Sequence, residues 1–332
     1  MRARSDKLPG MIERPSSRNK KVVHATRAHR GHRLHRAIFA ARIAEARLPP
    51  ARAAASADFG ADVDRERVIG DLARPQNMSA ALDGVDAVIH SAGLAQVMSG
   101  VPEDDYRVVN TQATVGLARA AWRAGAKRFV FLSSIRAQCG PTADAVLTEA
   151  VEPRPTDAYG KSKLAAECGV AELDIDWVSL RAMLVYGPGV KGNIAQLMRL
   201  ARSPFPLPLG SLRARRSLLA LENLLAAIEI VLAAPGTLRR AFIVADPQAL
   251  TVGEMIAAMR HGLGRQPNVF PFPTALLELL LRAAGRQEIY LRLSGSLVVD
   301  PSALISLGWT PPLATPLGLA RLMQASEALR HE

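Results

Sequence analysis

A chain of 332 residues, 49% apolar and 22% charged, is long enough for one sizeable α/β domain with a smaller appended one and has the balance of an ordinary globular protein. Its only cysteines, Cys139 and Cys168, exclude a disulfide framework, read as packing residues, and point to a reducing compartment. No stretch reaches the ~20 uninterrupted apolar residues of a membrane span, because Glu222 and Glu229 break 218–234 and Glu278 and Arg282 break 275–284; no apolar run follows the basic N-terminus as a secretory signal would need, so a cytoplasmic location is expected.

The charge is uneven. Residues 1–60 hold 14 Lys/Arg against 4 Asp/Glu, a net of +10, whereas the whole chain is +12. The pI near 10.4 therefore belongs to the beginning of the chain. Lys20-Lys-Val-Val23 reads as the start of a strand. It runs into His24-Ala-Thr-Arg-Ala-His-Arg-Gly-His-Arg-Leu-His-Arg36, which holds four of the seven histidines and one glycine, Gly31. No carboxylate or cysteine accompanies these histidines at useful spacing, so no metal site is expected.

From Val68 onward short apolar strands alternate with amphipathic helices, the pattern of a doubly wound parallel sheet. The strands fall at Val68–Ile69, Val85–Ile89, Phe129–Leu132, Trp177–Leu180 and Ala241–Val244. The helices fall at about 106–124, 157–171, 193–202, 222–234, 251–264 and 273–284. Pro-rich breaks at Ser203–Pro208 and Asn268–Pro273 mark where the chain leaves the sheet.

Within this pattern Asp157-Ala-Tyr-Gly-Lys-Ser-Lys-Leu-Ala-Ala-Glu167 puts Tyr159 and Lys163 four residues apart on one helix face. A phenol titrates near ~10 and needs a neighbouring cation to act as a base near neutrality, and Lys163 is placed to provide one. Upstream, Phe129-Val-Phe-Leu-Ser-Ser134 is an apolar strand ending in two hydroxyls. Strand end, loop and helix start can gather Ser134, Tyr159 and Lys163 around one substrate oxygen.

Further segments fall in a telling order: Val85-Asp-Ala-Val-Ile-His-Ser-Ala-Gly93, Tyr106-Arg-Val-Val-Asn110, Trp177-Val-Ser-Leu-Arg181, Val185-Tyr-Gly-Pro-Gly-Val-Lys-Gly-Asn193, Arg215–Asn223, Arg292–Asp300 and Leu307–Pro312. From about Val68 to the C-terminus the chain resembles the extended short-chain dehydrogenase/reductases, the nucleotide-sugar epimerases, dehydratases and 4-ketoreductases. The resemblance implies a Rossmann-type sheet over 61–190. It also implies a smaller C-terminal substrate lobe over 191–332 that returns to the main sheet near 241–245.

The resemblance also implies site residues. Ser134, Tyr159 and Lys163 are the catalytic set, with Ser133 as a less favoured substitute for Ser134. NAD or NADP would contact Asp71, Leu72, Ser91, Ala92, Gly93, Asn110, Ser133, Tyr159 and Lys163. A nucleotide-sugar substrate, a UDP-hexose or UDP-N-acetylhexosamine, would meet Asn193, Arg216 and Arg292; the arginine fork suits phosphate oxygens. Competing readings make Asp71 a turn or cap residue, Asn110 a structural residue and the arginines solvated surface groups. Dehydratases of this family carry Asp-Glu after the catalytic hydroxyl, whereas Ile135-Arg136 follows Ser134 here. That leaves 4-epimerase or 4-ketoreductase. The usual Arg-Pro before the Gly-Pro-Gly loop is Arg181-Ala182, a departure expected to loosen the nicotinamide side.

The family opens with Thr-Gly-x-x-Gly-x-x-Gly, whose amides cradle the cofactor pyrophosphate, and residues 24–60 lack it. The preferred reading is a shifted translation frame, since glycine codons of GC-rich DNA read out of frame give Arg, Ala, His and Pro. A basic arm for nucleic acid or an acidic membrane and an unusual working phosphate loop are the alternatives. NAD versus NADP is set in this segment and stays open. No nucleic-acid partner is expected, and a homodimer is compatible with the sequence. A steroid- or flavonoid-type dehydrogenase and a non-catalytic Rossmann-type binding protein are the remaining functional alternatives.

Overall fold

The computed structural model of the chain describes residues 22–25, 77–95 and 101–331. The expected strand at Val68–Ile69, the contacts Asp71 and Leu72, and the basic segment apart from its Val22–Ala25 stretch lie outside these residues.

The described strands are β1 (Val22–Ala25), β2 (Ala87–His90), β3 (Arg128–Ser134), β4 (Asp176–Ala182), β5 (Val185–Tyr186), β6 (Arg215–Arg216), β7 (Leu219–Ala220), β8 (Arg240–Val244) and β9 (Leu250–Thr251). The main sheet has the order β1-β2-β3-β4-β8, and every neighbouring pair is parallel. Its strands are buried runs of Val88, Ile89, Phe129, Val130, Phe131, Val178, Leu180, Phe242 and Ile243. Such continuous apolar runs belong to a parallel sheet covered on both faces. The first strand, expected from Lys20, is thus present at Val22–Ala25 and pairs with β2.

The described α-helices are α1 (Ser79–Leu82), α2 (Glu103–Tyr106), α3 (Ala113–Arg123), α4 (Ala158–Ala171), α5 (Gly192–Arg202), α6 (Leu221–Ala233), α7 (Val252–Gly262), α8 (Thr274–Ala283), α9 (Gln287–Ser294), α10 (Ser302–Ser306) and α11 (Thr315–His331). One face of the sheet packs Val88, Phe129 and Phe131 against Leu117, Ala121, Ala166 and Val170 of α3 and α4. The opposite face packs Ile89, Val130, Leu180 and Phe242 against Leu225, Ile228, Leu304 and Trp309. A third core joins Ile194, Met198, Met255, Met259, Leu319 and Met323 of α5, α7 and α11. Within it the buried Arg260 donates to the carbonyls of Ala201, Ser203, Phe205, Pro267 and Asn268. The two Pro-rich breaks therefore meet at one guanidinium.

Some boundaries differ from the sequence expectation. The helix expected to open at 106 begins at Glu103, where Pro102 precedes three acidic residues in the first turn; carboxylates there favour the positive helix N-terminus. It continues through a π-helical stretch, Arg107–Gln112, before α3. No helix was expected after 284, yet α9, α10 and α11 follow. Leu319, Leu322 and Met323 of α11 are buried against the third core, so tertiary packing fixes that helix. Cys139 is buried as expected, but Cys168 is exposed on α4 and is no packing residue.

Candidate active site

The site forms where β3 ends and α4 begins. Successive strand residues face opposite sides of the sheet, and this separates the two serines. Ser133 is 6% exposed and bonds the Glu167 carboxylate of α4. Glu167 in turn holds Arg181 of β4 through three hydrogen bonds, the shortest 2.7 Å. Ser133 is therefore part of a buried network with Glu167 and Arg181. Ser134 is only partly buried. Its hydroxyl accepts from the Arg136 N–H at 3.2 Å, opening a short 3-10 turn at Ile135–Ala137, and it lies close enough to Tyr159 to lower the phenol's pKa.

α4 starts at the cap residue Asp157, whose Oδ1 accepts from the Gly160 N–H at 2.7 Å. Its Oδ2 pairs with Arg136 Nη2. A Cβ on Gly160 would overlap the Arg136 carbonyl, so glycine is what lets the tyrosine helix approach the serine turn so closely.

The Tyr159 ring packs edge-on to Tyr106, with centroids 6.1 Å apart. Burial pushes the Tyr159 phenol above its ordinary range, Ser134 pulls it back, Asp157 and Tyr106 raise it, and Arg136 lowers it. Lys163 is 4% exposed. Its ammonium donates to the Leu132 carbonyl at 3.0 Å and lies 4.6 Å from the Phe131 ring centroid. Burial pulls its pKa down from 10.5 to about 8, against the pull of Glu167. Lys163 was expected to depress the phenol; Arg136 is a further cation that lowers it.

This gives a stability prediction. The folded pKa of Lys163 lies below its ordinary value, so the folded state binds fewer protons between the two. Stability from this group is lowest below about 8 and rises as pH climbs toward 10.5, by the linkage of proton binding to folding. Lys163→Met removes the buried ammonium. It should stabilise the fold at pH 7 by a few kcal/mol, on the order of 3 at most, with a gain that shrinks toward pH 10. Thermal unfolding of both proteins at pH 7 and pH 10 checks this; an equal or negative shift at pH 7 contradicts it.

Beside this set runs the turn Ser91-Ala92-Gly93 at the end of β2. A Cβ on Gly93 would come 2.8 Å from Asn110 Oδ1 and 3.4 Å from Lys163 Nζ. Asn110 is fully buried. Its Oδ1 accepts from the Leu94 N–H at 2.7 Å, and its Nδ2 donates to the Leu94 carbonyl and to Ser162 Oγ at 3.2 and 3.1 Å. Thr111, the next residue of the π-helical stretch, donates to the Ser162 carbonyl at 2.8 Å. Asn110 thus holds the turn against α4, the structural reading that the sequence left open.

The crevice at the carboxyl ends of parallel strands is where such sheets bind ligands. The small turn lies beside Lys163 at this end of the sheet.

On the lobe side, Arg216 of β6 donates to the Pro141 carbonyl at 3.3 Å, and burial lowers its pKa. The segment 296–300 runs between these parts. The Ala143 N–H donates to the Ser296 carbonyl at 2.8 Å and the Ser217 N–H to the Leu297 carbonyl at 2.9 Å. Arg216 is therefore fastened to the loop that follows the serine turn. Asn193 is exposed in the first turn of α5. Arg292 lies on α9, and its side chain is outside the described part. Ala182, in place of the usual proline, continues the ladder between Ser134 and Val244.

Sequence reasoning gave no role to Arg136, Asp157, Gly160 or Glu167. An Asp directly before a helix is a cap signal and could have flagged Asp157. Nothing in the spacing announces the others. Among the described residues no group of three or more His, Cys, Asp or Glu is placed to hold a metal ion, and no helix is long and apolar enough to cross a membrane.

A parallel sheet bearing a Ser/Tyr/Lys set at its carboxyl ends defines the Rossmann-type oxidoreductase class. Residues 24–245 match the NAD dependent epimerase/dehydratase family, and the chain belongs to that family. It is 34% identical over 267 residues to a UDP-glucose 4-epimerase of Vibrio cholerae, covering 77% of this chain and 81% of that one. The solved structure of MoeE5 with UDP-glucuronic acid and NAD is 26% identical, covers 78% of this chain and 85% of that one, and has a TM-score of 0.61. A UDP-galactose 4-epimerase structure shares the fold at 19% identity and a TM-score of 0.65, covering 93% of this chain and 99% of that one.

Proposed function

We propose that the chain catalyses hydride transfer at C4 of a UDP-hexose or UDP-N-acetylhexosamine, as a 4-epimerase or 4-ketoreductase using NAD or NADP. The observation that carries this reading is that Ser134 ends β3 close enough to Tyr159 to lower the phenol's pKa, while Tyr159 and Lys163 both lie on α4 and Lys163 is buried. When bound, the nicotinamide cofactor supplies the acceptor or donor of the hydride. Tyr159 takes the proton from the substrate hydroxyl, or returns it to the ketone. Ser134 donates a hydrogen bond to the same oxygen. Lys163, beside Gly93, holds the nicotinamide end, where Ser91 and Ala92 leave room for close approach. Asp71 and Leu72 belong to the adenine end. Arg216, Arg292 and Asn193 would meet the diphosphate of the substrate. Ile135 and Arg136 provide neither the acid nor the base that a 4,6-elimination needs.

The chain as written, lacking the glycine turn, should bind dinucleotide weakly. Loss of two charge-assisted amide–phosphate bonds, at ~1.5 kcal/mol each, corresponds to about 100-fold in affinity. Titration of NAD and NADPH into this chain, and into a form with Gly-x-x-Gly-x-x-Gly placed after β1, measures the difference. Tight binding by the unaltered chain would show that residues 24–60 make a working phosphate loop. The function is tested in the glycine-turn form with UDP-glucose, UDP-galactose and their N-acetylamino counterparts. Interconversion, or cofactor-dependent reduction of the 4-keto sugar, is expected. A form that binds cofactor yet turns over none of these sugars overturns the reading.

A further inference from the structure

We propose that Arg136 and Asp157 act as a charge-balancing pair for Tyr159: Asp157 caps and aims the helix that carries the phenol, and Arg136 supplies the positive charge that offsets Asp157 beside it. The inference rests on the reading of Tyr159 as the proton-transfer group. The geometry is a closed loop of contacts. Arg136 comes two residues after Ser134, and its Nη2 pairs with Asp157 Oδ2. Asp157 Oδ1 holds the Gly160 N–H, and the bare face of Gly160 lies on the Arg136 carbonyl. Serine turn and tyrosine helix are thus joined on both sides of Tyr159.

The pair is largely withdrawn from solvent, with side-chain exposures of 11% for Arg136 and 30% for Asp157. Nε and Nη1 of Arg136 are buried without a hydrogen-bond partner among the described residues. Unsatisfied buried donors are costly, and a serine or asparagine could cap the helix without any charge. A guanidinium kept in this state has a poorly screened field; besides its partner Asp157, that field lowers the pKa of the Tyr159 phenol and of the Cys139 thiol. The groups that shift the phenol are Ser134 from β3, Arg136 from the 3-10 turn, Tyr106 from α2 and Asp157 at the start of its own helix; Lys163, also on that helix, donates to the Leu132 carbonyl. Of these Arg136 lowers the phenol's pKa and Asp157 raises it. Arg136 is a positioning residue: it acts through Tyr159 and Asp157.

The test reads Tyr159 directly. In the full chain, position 159 is replaced by 3,5-difluorotyrosine, whose greater acidity brings the titration into a stable pH range, and the ionisation is followed by 19F NMR. Arg136→Met should raise the midpoint by about one pH unit or more, the usual size of a lost adjacent opposite charge. Asp157→Asn keeps the cap and should lower it. The double variant should return to within a few tenths of a unit of the parent, and Arg136→Lys should stay close to it. A merely structural arginine would leave the midpoint unmoved, or give a shift that Asp157→Asn does not reverse, and either result overturns the proposal. Should Arg136→Met fail to fold, Asp157→Asn decides alone: an unchanged or raised midpoint rejects charge balancing. Expected shifts in a protein inactive on every nucleotide sugar would keep this inference and remove the functional reading. Turnover with unmoved midpoints would do the reverse.

Discussion

Tyr159→Phe is expected to lower kcat by about 10²–10⁴-fold, the usual contribution of a positioned acid–base group, in the form of the protein that binds cofactor. The substitution keeps the ring that packs against Tyr106 and removes only the phenol hydroxyl. The unfolding midpoint and the cofactor affinity should stay close to those of the parent. KM for the nucleotide sugar should also change little, because the lost interaction belongs to proton transfer and not to ground-state binding. Steady-state kinetics at saturating cofactor, with a denaturant titration alongside, separates these effects. A kcat within about tenfold of the parent would mean that another group moves the proton.

Glu167→Ala should be the most destabilising single change near the site, at about 3–5 kcal/mol. Glu167 and Arg181 are 5% and 6% exposed, and the carboxylate also receives Ser133. Its removal leaves the Arg181 guanidinium buried with only the Gln138 side chain, 3.0 Å from Nη1, as its described partner. Breaking one half of a buried pair costs more than replacing both halves by apolar groups. Glu167→Leu with Arg181→Leu should therefore lie much closer to the parent than Glu167→Ala does. Urea unfolding of the three proteins checks the ordering. A single variant no less stable than the double one would show that the pair contributes little. The pair spans α4 and β4, so it anchors the helix that carries Tyr159 and Lys163 to the sheet that carries Ser134.

The alternation of apolar strands with amphipathic helices was legible in the sequence because it depends on local periodicity. β3, β4 and β8 fall within one or two residues of expectation, since a strand buried on both faces needs a continuous apolar run and its length is written in that run. The Tyr159/Lys163 pairing was legible for a related reason: the two share a helix face by their spacing alone. The short strands β5, β6, β7 and β9 and the helices after 284 were not. Pairs such as Arg215–Arg216 have no periodicity to read and exist because Thr251 and Leu250 lie opposite them. α11 is fixed by what Leu319 and Met323 bury against, a contact between segments far apart in the chain.

The sequence by itself determined the α/β class, the order of the motifs, the family they resemble and the residues that could exchange a proton with a substrate oxygen. Each of these depends on residue type and spacing within one element. Only the tertiary structure decided that Ser133 turns into a buried network while Ser134 lies on the Tyr159 side, that Asn110 spends its amide on Leu94 and Ser162, and that Arg136 is a further cation lowering the Tyr159 phenol. Those outcomes depend on which side of β3 each serine occupies and on how closely Gly160 lets α4 approach. Burial and electrostatic shifts are properties of the assembled core and are not written in any one segment of the chain.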